Sequence, residues 1–306
     1  MNIIHAASEL KTNSKKVCLA IGFFDGVHLG HQQILRQTIA DAQQHGGVAL
    51  ALTFDKHPNA VVAPDKAPPL IYSLPQKLRA IESLGMENIL LIPFDKNFSE
   101  QTGEQFIRGL ERDLGKIYSV CVGAEFVFGH KRSGNVALLK KLGGELRFQV
   151  RGLSAVSLDG EVVSSTRIRE AIRAGNLDDA SQMLGRPYAI SGKVVVGDKL
   201  GRKLGFPTAN LDVGGLVLPP NGVYSALTRH KGRIYHVALN IGFRPTVAAG
   251  RQLQVEAHLL DYHDELYGKE LEIEMGEKLR DERKFGSAEE LKEQIERDVA
   301  AVRERS

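Results

Sequence analysis

Two histidines three residues apart, His28 and His31, stand in the segment Gly22-Phe23-Phe24-Asp25-Gly26-Val27-His28-Leu29-Gly30-His31, directly after the apolar run Lys16–Ile21. With that run as a strand and a helix following it, both imidazoles lie beside a helix N-terminus. Such an end carries about half a positive charge and free N–H groups, and it holds anions. Imidazole donors placed there can stabilise charge that builds on a phosphate during transfer, and Gly30 lets backbone and phosphate approach closely. Gly22, Phe23 and Asp25 belong to the same turn. Alone, the segment also reads as a glycine-rich turn with incidental histidines.

Three further polar clusters follow strand-like runs. Thr53-Phe-Asp-Lys56-His57-Pro58 adds another histidine. Val122-Gly-Ala-Glu125-Phe-Val-Phe-Gly129 through Gly134 adds a carboxylate, cations and small residues. Ser164-Ser165-Thr166-Arg167-Ile168-Arg169 sets hydroxyls and guanidiniums at a helix start, and the guanidinium fork matches phosphate oxygens two at a time. A lone Ser-Ser-Thr-Arg is an ordinary helix cap; four such clusters after strands indicate a phosphate-handling site. The chain has no Gly-x-x-x-x-Gly-Lys-[Ser/Thr] and no Gly-x-Gly-x-x-Gly after the first strand, which excludes an ordinary P-loop and argues against a dehydrogenase.

A second group lies farther on. Gly192 opens a stretch that runs through Gly197-Asp198-Lys199, Gly201, Lys203 and Gly205-Phe206-Pro207-Thr208-Ala209-Asn210. Repeated glycines with interleaved cations describe a loop whose N–H groups can wrap phosphates. Thr208 and Asn210, at alternating positions of a strand, share one face. Their neutral oxygens suit Mg²⁺, which keeps its waters and takes few protein ligands. Glu256, inside the apolar run Val255-Glu-Ala-His-Leu-Leu260, is the candidate base. Phosphoryl transfer relies on positioning and charge neutralisation, with one carboxylate orienting the attacking hydroxyl. The plainer alternatives are a glycine-rich hairpin and a surface-facing strand glutamate.

The elements that must position these groups fall into two rhythms. The first half alternates strands (16–21, 48–54, 89–92, 117–122, 146–150) with helices: one carrying Ile34, Leu35, Thr38, Ile39 and Ala42, one over about 74–84, one capped by Thr102 and Gln105, and one over 136–142. Wholly apolar strands separated by helices imply a parallel sheet covered on both faces, with ligands at the strands' carboxyl ends. After Gly185-Arg-Pro-Tyr188 come strand-like runs at 190–196, 222–229, 234–241, 253–261 and 271–275, with hairpins expected at His230–Arg233 and Tyr267–Lys269. This spacing suggests a small closed antiparallel barrel. A final helix, capped by Ser287 and Glu290, carries Leu291, Ile295, Val299 and Val302. The expected domains are 1–185 and 186–306, the boundary falling after a helix that begins near Asn176.

With 306 residues, 42% of them apolar, the chain has material for two cores. A net charge of +3, with its cations scattered, argues against nucleic acid as the main partner. No apolar run approaches the ~20 residues of a membrane span. Cys18 and Cys121 sit in apolar runs without metal-like neighbours, so they read as core residues in a reducing cytoplasm.

The first set of motifs resembles the His-x-Gly-His nucleotidyltransferases, and specifically the FMN adenylyltransferase half of prokaryotic bifunctional riboflavin kinase/FAD synthetases. Gly205-Phe-Pro-Thr-Ala-Asn210 resembles the riboflavin kinase hallmark. So do Asn221-Gly-Val-Tyr224, Asn240-Ile-Gly-x-Arg244-Pro-Thr246, Leu266-Tyr-Gly268 and Leu279-Arg280. The resemblance spans almost the whole chain. It implies a Rossmann-like nucleotidyltransferase domain followed by a riboflavin kinase barrel, with ATP, riboflavin and FMN as substrates and FAD as product. It further implies that His28 and His31 bind the ATP phosphates and steady the transition state, while Ser164, Thr166, Arg167 and Arg169 close on the triphosphate. His57 and Glu125 would line the nucleotide or flavin side, Gly192, Gly205 and Pro207 the kinase nucleotide, and Thr208 and Asn210 would hold Mg²⁺–ATP. Glu256 would take the proton of the riboflavin 5′-hydroxyl. The chain departs from the family pattern at Lys56, usually proline, at Glu125, more often Asp or Asn, and at Val247, often Phe. Two other readings are an adenylyltransferase for another acceptor fused to the kinase, and a flavin-binding regulator with decayed catalysis. Retention of His28, His31, Thr208, Asn210 and Glu256 together argues against the regulator.

Overall fold

A computed structural model describes residues 1–197, 200–245 and 251–305. Asp198 and Lys199 of the glycine-rich stretch, and Thr246 and Val247, lie outside the described residues. The chain divides into two compact units, one of Met1–Leu70 with Leu74–Ser165 and one of Ile71–Ser73 with Thr166–Ser306.

The strands of the first unit, most of them apolar, are β1 (Asn2–Ile4), β2 (Val17–Ile21), β3 (Val48–Phe54), β4 (Asn88–Ile92), β5 (Ile117–Gly123) and the more polar β6 (Gln149–Leu153). They make one parallel sheet in the order β1-β4-β3-β2-β5-β6. Every residue of β2 is buried, as a strand covered on both faces requires. The longer helices are α1 (Leu29–Gln44), α2 (Leu74–Glu82), α3 (Gly103–Leu114) and α4 (Val136–Leu146), and Thr102 with Gln105 forms the expected capping box of α3. The chain leaves β2 for β3 on one side and later returns to place β5 on the other. The sheet therefore reverses its order between β2 and β5, and the crevice beyond their carboxyl ends is where such folds bind ligands.

Two expectations shift here. The fifth apolar run, expected at 146–150, forms its strand at Gln149–Leu153 because α4 extends to Leu146 and ends on a left-handed Arg147. β1 was not expected; its three residues pair with β4 but are too few to show a period.

On the inner face of α1, Asp41 is 1% exposed and accepts from Arg151 Nε at 2.7 Å and Gln37 Nε2 at 2.8 Å. Burial pushes its carboxyl up, but the bonds from Arg151 and Gln37 outweigh that and hold it below its ordinary range.

In the second unit, α5 (Ser165–Ala174, whose first residue counts with the first unit) and α6 (Leu177–Leu184) precede the barrel strands. These are β7 (Ala189–Val195), β8 (Ala209–Asp212), β9 (Gly222–His230), β10 (Arg233–Pro245), β11 (Arg251–Leu259) and β12 (Glu270–Arg280). They close as β7-β8-β11-β10-β9-β12, every pair antiparallel. Alternation is clean: Ala209, Leu211, Val237, Leu239, Ile241, Val255, Ala257 and Leu259 fill the interior. The hairpin at His230–Arg233 is present. That at Tyr267–Lys269 is not, because β11 and β12 are not partners; Gly268 N and Lys269 O instead bond to Val194 on β7. The C-terminal helix α7 (Ala288–Glu304) is capped by Ser287, whose hydroxyl accepts from Glu290 N.

Candidate functional sites

The turn between β2 and α1 carries its histidines as the sequence implies. His28 is the N-cap of α1 and His31 lies in its first turn. Their rings stack at 3.7 Å between centroids with 24° between planes, and Phe24 meets His31 edge-on at 5.4 Å. Burial, His28 and Lys77 push the His31 ring well below the ordinary imidazole range, so it stands neutral. Gly22, Phe23, His28, Gly30, His31 and Glu125 line a cleft of about 300 Å³ beyond β2 and β5. Glu125 is exposed, so its carboxylate stands in water at the rim. His57 packs edge-on against Phe23 at 4.9 Å, and its Nδ1 accepts from Asn59 N. Asp25 is buried, and its carbonyl accepts from the Ser165 hydroxyl at 3.2 Å, which ties the Ser164-Ser165 segment to the histidine turn. Of the remaining predicted residues, Arg169 is buried on α5, Arg167 half-buried and Thr166 exposed.

On the barrel, Asn210 pairs directly with Glu256, and Glu256 with Asn240 on its other side. Their strand neighbours point inward, so these three side chains form an outward row, with facing Cβ atoms about 5 Å apart. The expectation that Thr208 and Asn210 alternate along a strand is corrected: β8 begins at Ala209, and Thr208 precedes it. The glycine-rich segment relates the two instead. A Cβ on Gly197 would meet the Asn210 carboxamide at 2.2 Å, and one on Gly201 would meet the Thr208 hydroxyl at 3.3 Å. Only glycine lets position 197 lie so close to Asn210, and at Gly201 the tightest contact of an added Cβ would be the Phe206 carbonyl at 2.3 Å. Thr208 and Pro207 line a cleft of about 160 Å³ with Arg202, Ala257, Tyr262 and Tyr267. His258 Nδ1 donates to the Pro207 carbonyl at 2.8 Å and holds this stretch against β11. Gly192 pairs with Leu271 within β7, and Gly205 follows a helical turn at Leu200–Lys203.

Sequence reasoning missed Tyr262 as part of this cleft, although the Leu266-Tyr-Gly268 motif lies beside it. It also missed Lys77, whose signal was available: Lys77 sits four residues before Ile81 on the buried face of α2.

A parallel-sheet domain with paired imidazoles at its switch point, joined to a six-stranded barrel with a glycine-covered polar row, defines a two-domain transferase of phosphate-bearing groups. The FAD synthetase family model matches residues 10–167 and the riboflavin kinase model residues 184–306. The bifunctional riboflavin kinase/FMN adenylyltransferase of Escherichia coli K12 is 38% identical over 307 residues, covering 99% of this chain and 97% of that protein. Its counterpart in Bacillus subtilis 168 is 35% identical over 303 residues, covering 97% and 95%. A Streptococcus pneumoniae crystal structure, described as a macrolide-efflux protein, shares the fold with a TM-score of 0.81 and 27% identity over 98% of both chains. Among the described residues no helix is long and apolar enough to cross a membrane. The chain belongs to the bifunctional riboflavin kinase/FAD synthetase family: it phosphorylates riboflavin to FMN and adenylylates FMN to FAD.

Proposed function

We propose that the two reactions run at separate sites, each with its own ATP, and that the functional division falls between residues 185 and 186. FMN adenylylation belongs to the cleft beyond β2 and β5. There His28 and His31 meet the ATP phosphates as the FMN phosphate attacks the α-phosphorus and pyrophosphate leaves. Ser164, Thr166, Arg167 and Arg169 supply hydroxyls and guanidiniums to the triphosphate, while His57 and Glu125 border the nucleotide or flavin. Riboflavin phosphorylation belongs to the barrel. There Glu256 takes the proton of the 5′-hydroxyl as it attacks the γ-phosphorus, and Gly192, Gly205 and Pro207 frame the nucleotide.

The observation that supports this reading is that each half holds its own polar set: a stacked imidazole pair at a helix start, and a carboxylate opposite a carboxamide that lies close against Gly197. On the kinase side, Thr208 and Asn210 would hold Mg²⁺. The Thr208 hydroxyl and Asn210 carboxamide offer neutral hard oxygens. An ion here would take its remaining ligands from phosphate and water. When bound, it would neutralise charge on the transferring phosphate.

The test supplies riboflavin, ATP and Mg²⁺ to purified protein and separates the flavins over time. His28→Ala should stop at FMN. Asn210→Ala should leave riboflavin unconverted yet still turn added FMN into FAD. Loss of both conversions in either variant would contradict separate sites.

A further inference from the structure

Lys77 is 3% exposed, a rare state for an ammonium. It lies on α2, outside the family motifs that define either reaction. All three of its donors are used: Nζ gives to the Phe23 carbonyl at 3.1 Å, the Thr53 hydroxyl at 3.2 Å and the Phe54 carbonyl at 2.8 Å. The Thr53 hydroxyl itself donates to the Phe23 carbonyl at 2.9 Å. The ammonium also sits 4.2 Å from the centroid of the Phe23 ring. One side chain therefore fastens the carboxyl end of β3 to the backbone that leaves β2.

That backbone is strained. Phe24 has φ +56° and Val27 φ +42°, the latter a β-branched residue in a region such side chains avoid. Each such residue persists only where its surroundings over-determine it. Fastenings on this turn include Lys77 and Thr53 on the Phe23 carbonyl, Ser165 on the Asp25 carbonyl, and Gln32 Nε2 on the Val27 carbonyl at 3.0 Å. The strained turn ends at His28. Its exit direction fixes where both imidazoles stand.

We propose that Lys77 is a positioning residue for adenylyl transfer: its buried ammonium holds the Phe23–Val27 turn, and so keeps the stacked imidazoles where a triphosphate meets them. The charge acts as well as the geometry. Burial brings Lys77 down to about 7 against the opposing pull of Asp25 and Asp55. Whatever charge it carries adds to burial and to His28 in keeping His31 neutral, against an Asp25 backbone hydrogen bond that favours the proton. A neutral His31 leaves proton uptake at that ring to be driven by arriving phosphates.

This inference rests on the reading that His28 and His31 meet ATP, and Lys77→Met in the full chain tests it. A displacement of about 1 Å costs on the order of 10²-fold in rate. The expected result is an FMN adenylylation kcat about 100-fold lower, KM for ATP changed by less than about threefold, and riboflavin phosphorylation by the same molecules within twofold of the parent. Titration of the His31 ring by NMR should lie below the ordinary imidazole range in the parent and move upward in Lys77→Met. An adenylylation kcat within threefold of the parent, a loss carried wholly by KM, or an ordinary His31 titration in the parent would overturn the proposal. If Lys77→Met unfolds the first half, Thr53→Val serves: it removes one hydroxyl from the Phe23 carbonyl and should lower kcat about tenfold, and an unchanged rate would refute the clamp. Should His28→Ala retain FAD formation, the underlying reading fails. Should His28→Ala abolish it while Lys77→Met does not, only this inference fails.

Discussion

Replacing Gly197 by alanine adds one methyl group directly over Asn210. The new Cβ would fall 2.2 Å from Nδ2, 2.5 Å from Cγ and 2.8 Å from Oδ1 of that side chain, where ordinary contact begins at 3.4 Å. The backbone of Asn210 cannot retreat, because β8 holds it between Val195 and Glu256. The carboxamide must therefore swing aside by about 1 Å or more, a displacement that costs on the order of 10²-fold in a reaction governed by positioning. That corresponds to about 2.7 kcal/mol of lost transition-state stabilisation. Gly197→Ala should thus form FMN from riboflavin about 100-fold more slowly while converting added FMN to FAD at the parent rate. Both follow from one time course with riboflavin and a second with FMN, each with ATP and Mg²⁺. FMN formation within twofold of the parent would show that the Asn210 carboxamide does not need its place. An equal fall in both conversions would show that the methyl group damages more than the kinase site.

Glu256→Gln keeps the size of the side chain opposite Asn210 and removes its basicity, so the kinase kcat should fall about 10²- to 10⁴-fold with KM for ATP little changed; near-parent turnover would reduce Glu256 to an outward strand residue. Asp41→Asn leaves Arg151 facing a neutral partner, and with Arg151 37% exposed and able to regain water the first unit should lose about 2 kcal/mol. The Asp41 carboxyl is held below its ordinary value, so its contribution is complete above about pH 4 and disappears as pH falls further. Thermal midpoints of parent and variant should therefore converge on acidification, and parallel curves would refute the role of this pair.

The sheet was legible because fully buried parallel strands are continuous apolar runs, and β2, β3 and β5 read as such directly. The barrel was legible from period-two alternation, as along Val255, Glu256 and Ala257. What escaped was set by partners distant in sequence. The strand around Asn210 was expected to include Thr208, but β8 begins at Ala209, its extent set by pairing with β7 and β11. The turn at Tyr267–Lys269 looks local, yet β12 pairs with β7 and β9. At the first site the histidines were visible by type and spacing. Their stacking was not, since it depends on positive φ at Phe24 and Val27, residues whose side chains give no hint of it. Lys77 escaped because a lysine ordinarily marks a wet face, and its three acceptors come from β3 and the turn that follows β2.

Both cysteines of the chain lie in the sheet, Cys18 on β2 and Cys121 on β5, each wholly sealed, and burial pushes the Cys121 thiol up to about 11. The barrel contains none. An alkylating reagent added to the intact enzyme is thus blind to the second unit and reacts with the first only when the cover over the sheet opens, as where α1 brings Asp41 against Cys121. The protein carries a built-in clock for the opening of its adenylyl-transfer half, read by mass from how fast two thiols acquire label, with no probe to be engineered.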